Sequence, residues 1–195
     1  MDEARINAIV AEVVRRLVPS TSGPAVVAPR YSAGRNGLFD DIDAAVQAAR
    51  DSFDQLKRTP VHIRARAIDN MRQVTLRNLD EMARRAVEET GLGRVADKIE
   101  KNRLVALKTP GMEILQPSAY SGDHGLTIDE YGALGVIGSI TPTTNATETI
   151  LNNGISMIAG GNTVVFNVHP SAKRTLAWYT KMLNEACVEA GAPDN

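Results

Sequence analysis

Two short polar segments carry the side chains of this sequence that are best suited to binding and chemistry. Residues 141–145 follow a nearly all-apolar run, and residues 169–171 follow a second apolar run. Asn145 offers a side-chain amide of the kind that stabilises an oxyanion, and the alternative is that it caps the next helix. His169 is a candidate ligand contact, and the alternative is that it orients its own loop through a backbone hydrogen bond.

The cysteine and the histidines of this sequence do not form a pattern that predicts catalysis. Cys187 is the only cysteine, and it lies late in a helical pattern, where a cysteine is usually a small buried apolar residue rather than a nucleophile. The histidines are His62, His124 and His169, and their spacing to one another and to carboxylates does not match a metal site. We therefore expect no metal.

The two polar segments belong to a strand–helix–strand–helix pattern. The apolar run 134–140 predicts a strand covered on both faces, and residues 163–168 predict a second strand. Parallel strands joined by a right-handed crossover bring their carboxyl ends to one edge, so both segments should meet in one crevice. Exposed N–H groups at the two following helix N-termini would favour an anionic ligand such as a pyrophosphate. The glycines form neither a dinucleotide fingerprint nor a phosphate loop, so this pattern alone supports a nucleotide only weakly. Residues 126–131 predict a further strand at a sheet edge.

A helical layer precedes this unit. Asp40 and Asp41 predict the cap of a first helix, Pro60 the first turn of a second, and Asp80 the cap of a third. Residues 95–107 predict a fourth helix. No catalytic constellation emerges from this layer, which we expect to be scaffold.

The first 36 residues predict two segments separate from the domain at 37–195. Residues 1–18 place apolar side chains three and four positions apart, which gives one apolar stripe on a helix. Residues 19–36 contain three prolines and two glycines without a period, which is typical of a flexible linker. We expect the tethered helix to dock on a separate partner; the alternative is that it packs on its own domain.

Composition excludes several classes of protein. The 195 residues contain 22 Lys and Arg against 23 Asp and Glu, so the chain lacks the basic excess of a nucleic-acid binder. No apolar stretch approaches the about 18–20 residues that span a bilayer. A single cysteine fits a reducing compartment, so we expect a cytoplasmic protein that binds neither nucleic acid nor membrane.

Three motifs in register carry a specific family resemblance: GVIGSITPTTN at 135–145, TETILNNGISMIAGGNT at 147–163 and HPSAK at 169–173. The segments EETGLGR at 88–94, and Asp97-Lys98 with Lys101-Asn102, fit the same pattern. Together they resemble the CoA-acylating aldehyde dehydrogenases, in particular those that process propionaldehyde or acetaldehyde in bacterial microcompartments. The resemblance extends over essentially the whole chain.

The resemblance implies an α/β fold, with an N-terminal helical layer and a partial Rossmann-like parallel sheet of the aldehyde dehydrogenase fold. It implies NAD-dependent oxidation of a short aliphatic aldehyde through a cysteine thioester, with coenzyme A as acyl acceptor and Asn145 as oxyanion donor. The tethered helix at 1–18 resembles an encapsulation peptide that binds a microcompartment shell protein, so the implied location is the microcompartment interior. A homo-oligomer is implied for the full-length enzyme. The residues implied to contact the cofactor are Thr141, Pro142, Thr143, Thr144, His169, Pro170 and Ser171.

The nucleophilic cysteine that the family resemblance implies has no match in this sequence. Members of the family are longer, their nucleophilic cysteine lies beyond the position where this sequence stops, and Cys187 does not match it. We therefore expect an N-terminal part that supplies cofactor cleft and targeting helix, and that does not reduce NAD by itself. The alternative is a non-catalytic, truncated cargo or interaction module of a microcompartment. Sequencing the gene beyond codon 195 would distinguish the two.

Overall fold

Residues 36–194 are described by the computed structural model, so the predicted helix at 1–18 and almost all of the predicted linker lie outside the described residues. Within the described part, six α-helices and four β-strands occur in the order four helices, a hairpin, and a strand–helix–strand–helix unit. The helices are α1 (Ile42–Leu56), α2 (Val61–Arg77), α3 (Leu79–Thr90), α4 (Val95–Lys108), α5 (Ala146–Ala159) and α6 (Lys173–Glu189). The strands are β1 (Ser118–Gly122), β2 (Gly125–Asp129), β3 (Val136–Ile140) and β4 (Thr163–Asn167).

The strand pair β3–β4 confirms the predicted crossover unit. The two strands are parallel, pair from Val136 with Thr163 to Ile140 with Asn167, and are connected by α5. Two short loops, 141–145 and the 3₁₀ turn Pro170–Ala172, then lead into α5 and α6.

The burial of β3 differs from the prediction. Ile140 is 83% exposed and Gly138 is also exposed, whereas Ser139 is buried. The expected covering of both faces is therefore wrong for the described residues. Helices α1 and α5 pack on the strand pair without covering the last residue of β3.

The predicted edge strand at 126–131 is present as β2 and begins one residue earlier. It pairs in antiparallel register with β1, from Ser118 opposite Asp129 to Gly122 opposite Gly125, and this partner strand was not predicted. The hairpin is a sheet separate from β3–β4, and all ten of its paired residues are exposed.

The helical layer follows the sequence signals closely. Asp41 caps α1 by accepting a hydrogen bond from the Ala44 N–H at 2.8 Å. The cap of α3 is Asn78, not the predicted Asp80, which lies in the first turn, where a negative charge favours the helix dipole. No helix among residues 36–194 is both long and apolar enough to span a membrane.

One apolar core joins α2, α5 and α6. Met71, Ile150, Ile155, Leu176 and Tyr179 have almost no exposed surface and belong to one cluster of contacting side chains. This core fixes α5 and α6 against the helical layer, and so fixes the two loops that precede these helices.

Candidate functional site

The two predicted polar segments leave the same edge of the parallel strand pair. The Thr141 N–H donates to the Asn167 carbonyl at 3.1 Å, which continues the strand register one residue into the first loop. The part of the prediction that places loops 141–145 and 169–171 at the same edge of the parallel strands is therefore confirmed, while their joining in one crevice stays a prediction.

The first loop contains hydroxyls without hydrogen-bond partners. Thr141 is buried, and its Oγ1 is fully enclosed without a hydrogen-bond partner among the described residues. The same holds for Oγ1 of the half-buried Thr143, whereas Pro142 and Thr144 are exposed. Enclosed hydroxyls that lack partners cost about 1–3 kcal/mol each, so a polar ligand that reached them would remove a real penalty.

Asn145 occupies the N-cap position of α5 but does not cap it with its side chain. Its backbone carbonyl accepts the first helical hydrogen bond from Thr149, and its side-chain Oδ1 instead accepts from Lys101 Nζ at 2.5 Å. The capping alternative is therefore wrong. The role of Asn145 as an oxyanion donor stays a prediction.

Two lysines and a glutamate surround this loop end, and sequence reasoning did not identify them as a site. Lys98 is buried, and its Nζ donates to the Thr144 carbonyl at 2.6 Å. The buried Glu148 places Oε1 3.5 Å from both Lys98 Nζ and Lys101 Nζ. The i, i+3 spacing of the two lysines on α4, and the acidic residue in the first turn of α5, were the available signals.

These groups border a cleft between α4 and α5. Its volume is about 330 Å³, and its lining residues are Lys101, Leu104, Val105, Asn145, Glu148, Thr149, Asn152 and Asn153. Asn145 thus lies where the carboxyl edge of the sheet meets a surface opening.

His169 serves its own loop. Its Nδ1 accepts a hydrogen bond from the Ser171 N–H at 3.1 Å, so the backbone-orienting alternative is confirmed as a contact. His169, Pro170 and Ser171 are all exposed, so they are accessible to a ligand at this edge.

The N-terminus of α6 is already occupied, contrary to the expectation of free N–H groups there. The Glu89 carboxylate, reaching across from α3, accepts from the N–H groups of Arg174 at 2.8 Å and Thr175 at 2.7 Å. Burial raises the pKa of Glu89, but the hydrogen bonds from Thr175 and Arg174 outweigh it and lower the pKa below the usual glutamate value. A carboxylate of this chain therefore holds the positive end of α6 that an external anion would need.

Cys187 has the environment of a core residue. It is 9% exposed, it is one of the residues that line a partly open pocket of about 110 Å³, and burial raises the pKa of its thiol to about 12. The thiolate is the nucleophilic form, so this sulfur is unreactive near neutral pH, as predicted for a small buried apolar residue. Among the residues the structure describes, no three His, Cys, Asp or Glu side chains converge in a way that could hold a metal ion.

Comparison with known proteins identifies the family to which the chain is similar. The model of the "Aldehyde dehydrogenase family" matches residues 30–195. An acetaldehyde dehydrogenase (acetylating) of Bilophila wadsworthia is 46% identical over 189 residues, which is 95% of this chain and 39% of that protein. A propanal dehydrogenase (CoA-propanoylating) of Citrobacter freundii is 42% identical over 138 residues, 71% of this chain and 30% of that protein.

Solved structures agree in fold and sequence. A propionaldehyde dehydrogenase from the fucose utilisation microcompartment of Clostridium phytofermentans superposes with a TM-score of 0.78 at 48% identity, covering 81% of this chain and 36% of that one. The Rhodopseudomonas palustris propionaldehyde dehydrogenase with bound propionyl-CoA gives 0.80 at 43% identity, covering 91% and 39%. An engineered glycolyl-CoA reductase with bound NADP+ gives 0.80 at 45% identity, covering 84% and 37%.

The chain spans 39% and 30% of the length of the two curated relatives. The matched segment nevertheless includes both loops, the lysine–glutamate cluster and the helical layer. Because the family model matches residues 30–195, the chain belongs to the aldehyde dehydrogenase family.

Proposed function

We propose that this chain supplies the cofactor-side half of the active site of an NAD-dependent, CoA-acylating aldehyde dehydrogenase that acts on acetaldehyde or propanal. The observation that carries the proposal is that loops 141–145 and 169–171 both leave the same edge of the parallel strand pair, in a chain whose relatives are named for this reaction. The nucleophilic cysteine belongs to polypeptide outside these 195 residues, since Cys187 is enclosed in the core.

The described residues fit a nicotinamide cofactor at this edge. Oγ1 of Thr141 and Oγ1 of Thr143 have no hydrogen-bond partner among residues 36–194, and a polar ligand would supply one if the loop opened to admit it. When bound, NAD accepts the hydride that the oxidised aldehyde carbon loses. His169, Pro170 and Ser171 are accessible for the adenosine part of NAD or of coenzyme A. Because Glu89 holds the N-terminus of α6, we place the charged part of the ligand away from that helix end.

Asn145 has the chemistry to stabilise the substrate oxygen. When a thiolate adds to an aldehyde carbon, the carbonyl oxygen takes on negative charge, and an amide N–H at hydrogen-bond distance lowers the energy of that state. The oxygen of the Asn145 amide is held by Lys101, which leaves the amide nitrogen as the donor. Collapse of the oxyanion would transfer the hydride to the nicotinamide and leave a thioester on the enzyme sulfur. The thiol of coenzyme A would then exchange with that sulfur, which releases the acyl-CoA and the enzyme thiol.

The amphipathic segment 1–18 would act as a helix that docks on a shell protein. The full-length enzyme would form a homo-oligomer inside the microcompartment. The apolar stripe and linker of the sequence support this placement, as does the microcompartment origin of one structural neighbour. Deleting residues 1–18 from the intact protein should abolish its co-purification with microcompartment shells without reducing its catalytic rate. Retention of the deletion variant in shells would contradict the docking role.

The catalytic test uses the complete gene product that contains this sequence. Absorbance at 340 nm should rise with acetaldehyde or propanal only when coenzyme A is present, mass spectrometry should detect the acyl-CoA, and NAD should be preferred over NADP. Asn145→Ala should lower kcat by about 10²–10³-fold. The isolated 195-residue chain should give no reduction of NAD. Failure of the complete protein to form acyl-CoA, or activity of the isolated chain, would refute the proposal.

A further inference from the structure

Lys101 determines which way the Asn145 amide faces. An ammonium group has three donors and no acceptor, so only the amide oxygen, never the amide nitrogen, can face it. Lys101 Nζ lies 2.5 Å from Asn145 Oδ1, and this hydrogen bond is charge-assisted because its donor is an ammonium group. Both donors of Asn145 Nδ2 are therefore directed to the other side of the amide.

The same contact strengthens the amide as a donor. A positive charge beside the carbonyl oxygen draws electron density from the amide nitrogen, so its N–H groups become stronger donors. Hydrogen bonds arranged in series reinforce one another in this way. The local charges also favour an anion, since two ammonium groups face the single carboxylate of Glu148.

The two lysines differ in burial, so a change at Lys101 can be made without disrupting the buried ion pair of Lys98. Lys98 and Glu148 have 5% and 6% of their side-chain surface exposed, so they form an enclosed ion pair, and Lys98 also holds the Thr144 carbonyl. Lys101 retains 46% of its side-chain exposure. Removing the Lys101 charge leaves the enclosed pair intact, so the fold should survive a change that releases the amide.

We infer that Lys101 is a positioning residue that orients and polarises the Asn145 amide for oxyanion stabilisation. This inference rests on the proposed function. It assigns Lys101 no contact with substrate, cofactor or reacting atoms.

The experiment compares four versions of the complete protein: the parent, Lys101→Met, Asn145→Ala and the double variant. Lys101→Met should lower kcat about tenfold while the KM values for aldehyde and coenzyme A change less than twofold, because orientation is lost but binding groups are kept. The double variant should be no slower than Asn145→Ala alone, since Lys101 acts through that amide. Arg103→Met is the matched control: within residues 36–194 this exposed cation on the same helix forms an ion pair with Glu100 alone, at 3.5 Å, and kcat should not change.

A spectroscopic measurement tests the contact independently of turnover. In a spectrum of protein labelled with ¹⁵N-asparagine, the signal lost in Asn145→Ala identifies its side-chain NH₂ group. That signal should shift in Lys101→Met and stay in place in Arg103→Met.

The outcomes separate the inference from the function on which it rests. An active parent in which Asn145→Ala is impaired but Lys101→Met is normal would overturn the inference and leave the proposed function standing. A further loss in the double variant, or an unshifted NH₂ signal, would also overturn it. A parent that forms no acyl-CoA would overturn the proposed function together with the positioning role of Lys101 in it, and the NH₂ signal alone would then decide the amide orientation.

Discussion

Glu89 connects the helical layer to the parallel unit, and its removal should weaken the chain measurably. Its carboxylate accepts two backbone N–H groups in the first turn of α6, and its side chain is 9% exposed. In Glu89→Gln the side chain keeps its length, loses its charge, and turns one acceptor oxygen into an NH₂ group that cannot accept. One N–H group of α6 then faces another donor.

The size of the effect follows from these contacts. A hydrogen bond to a charged group contributes about 1.5–3 kcal/mol, and a negative charge at a partly buried helix N-terminus adds up to about 1–2 kcal/mol. These terms overlap, so we expect a loss of about 2–3 kcal/mol in the free energy of unfolding. For a chain of this size that is a fall in Tm of about 4–12 °C.

The effect also has a pH dependence with a fixed sign. The pKa of Glu89 is lower in the folded chain than in the unfolded chain, so its contribution is fully present above the ordinary glutamate pKa. It should disappear as the pH falls through the lowered folded pKa. The stability gap between parent and Glu89→Gln should therefore be constant near neutral pH and should shrink below about pH 4.5.

Urea unfolding followed by circular dichroism at several pH values measures this gap. Glu88→Gln is the matched control, because Glu88 precedes Glu89 on the same helix, is exposed, and should change stability by less than about 0.5 kcal/mol. Equal effects of the two variants, or a gap that widens in acid, would refute the assignment of Glu89 as the anchor of α6.

Three further predictions concern the interior of the described domain. Lys98→Met should lower the free energy of unfolding by about 3 kcal/mol in urea titrations, because it leaves the buried Glu148 carboxylate with only a half-exposed partner; a loss below about 1 kcal/mol would contradict this. Cys187 in the isolated chain should react with iodoacetamide only as fast as the chain unfolds, since burial raises its thiol pKa to about 12, and rapid labelling of folded protein would disprove the enclosure. Gly161→Ala should cost about 1–3 kcal/mol in the same titrations, because φ is +77° and the added Cβ would lie 2.7 Å from Arg64 Nη1; an unchanged urea midpoint would exclude that conformation.

Elements with a local cause were predictable from the sequence. The α1 cap depends on Asp41 and a backbone group three residues away, and the crossover unit depends on two apolar runs separated by a helical period. The strand β1 was missed because SAYSG contains two serines and a glycine and has no apolar face, so only its pairing with β2 makes it a strand.

The site was predictable where it depends on chain position, and not where it depends on long-range contacts. The loops 141–145 and 169–171 follow strand ends, which a sequence pattern locates. The partners of these loops are 44 residues away, for Lys101 with Asn145, and 85 residues away, for Glu89 with Arg174. Residues so far apart in sequence are not related by a helical or strand periodicity, so the sequence does not reveal these contacts. For Asn145 it indicated a local helix cap, whereas in the structure its side chain contacts Lys101 on another helix.

The helical layer consequently does more than support the sheet, which was its expected role. From α3 it sends a carboxylate to the start of α6, and from α4 it sends two ammonium groups to the loop that starts α5. The first contact neutralises a helix end that would otherwise attract an anion, while the second leaves excess positive charge beside Asn145. The two helix starts at this sheet edge therefore differ in their electrostatics although the backbone pattern makes them alike. Developing negative charge should therefore be stabilised at the start of α5 and not at the start of α6. The start of α5 is where an oxyanion donor at position 145 requires that stabilisation.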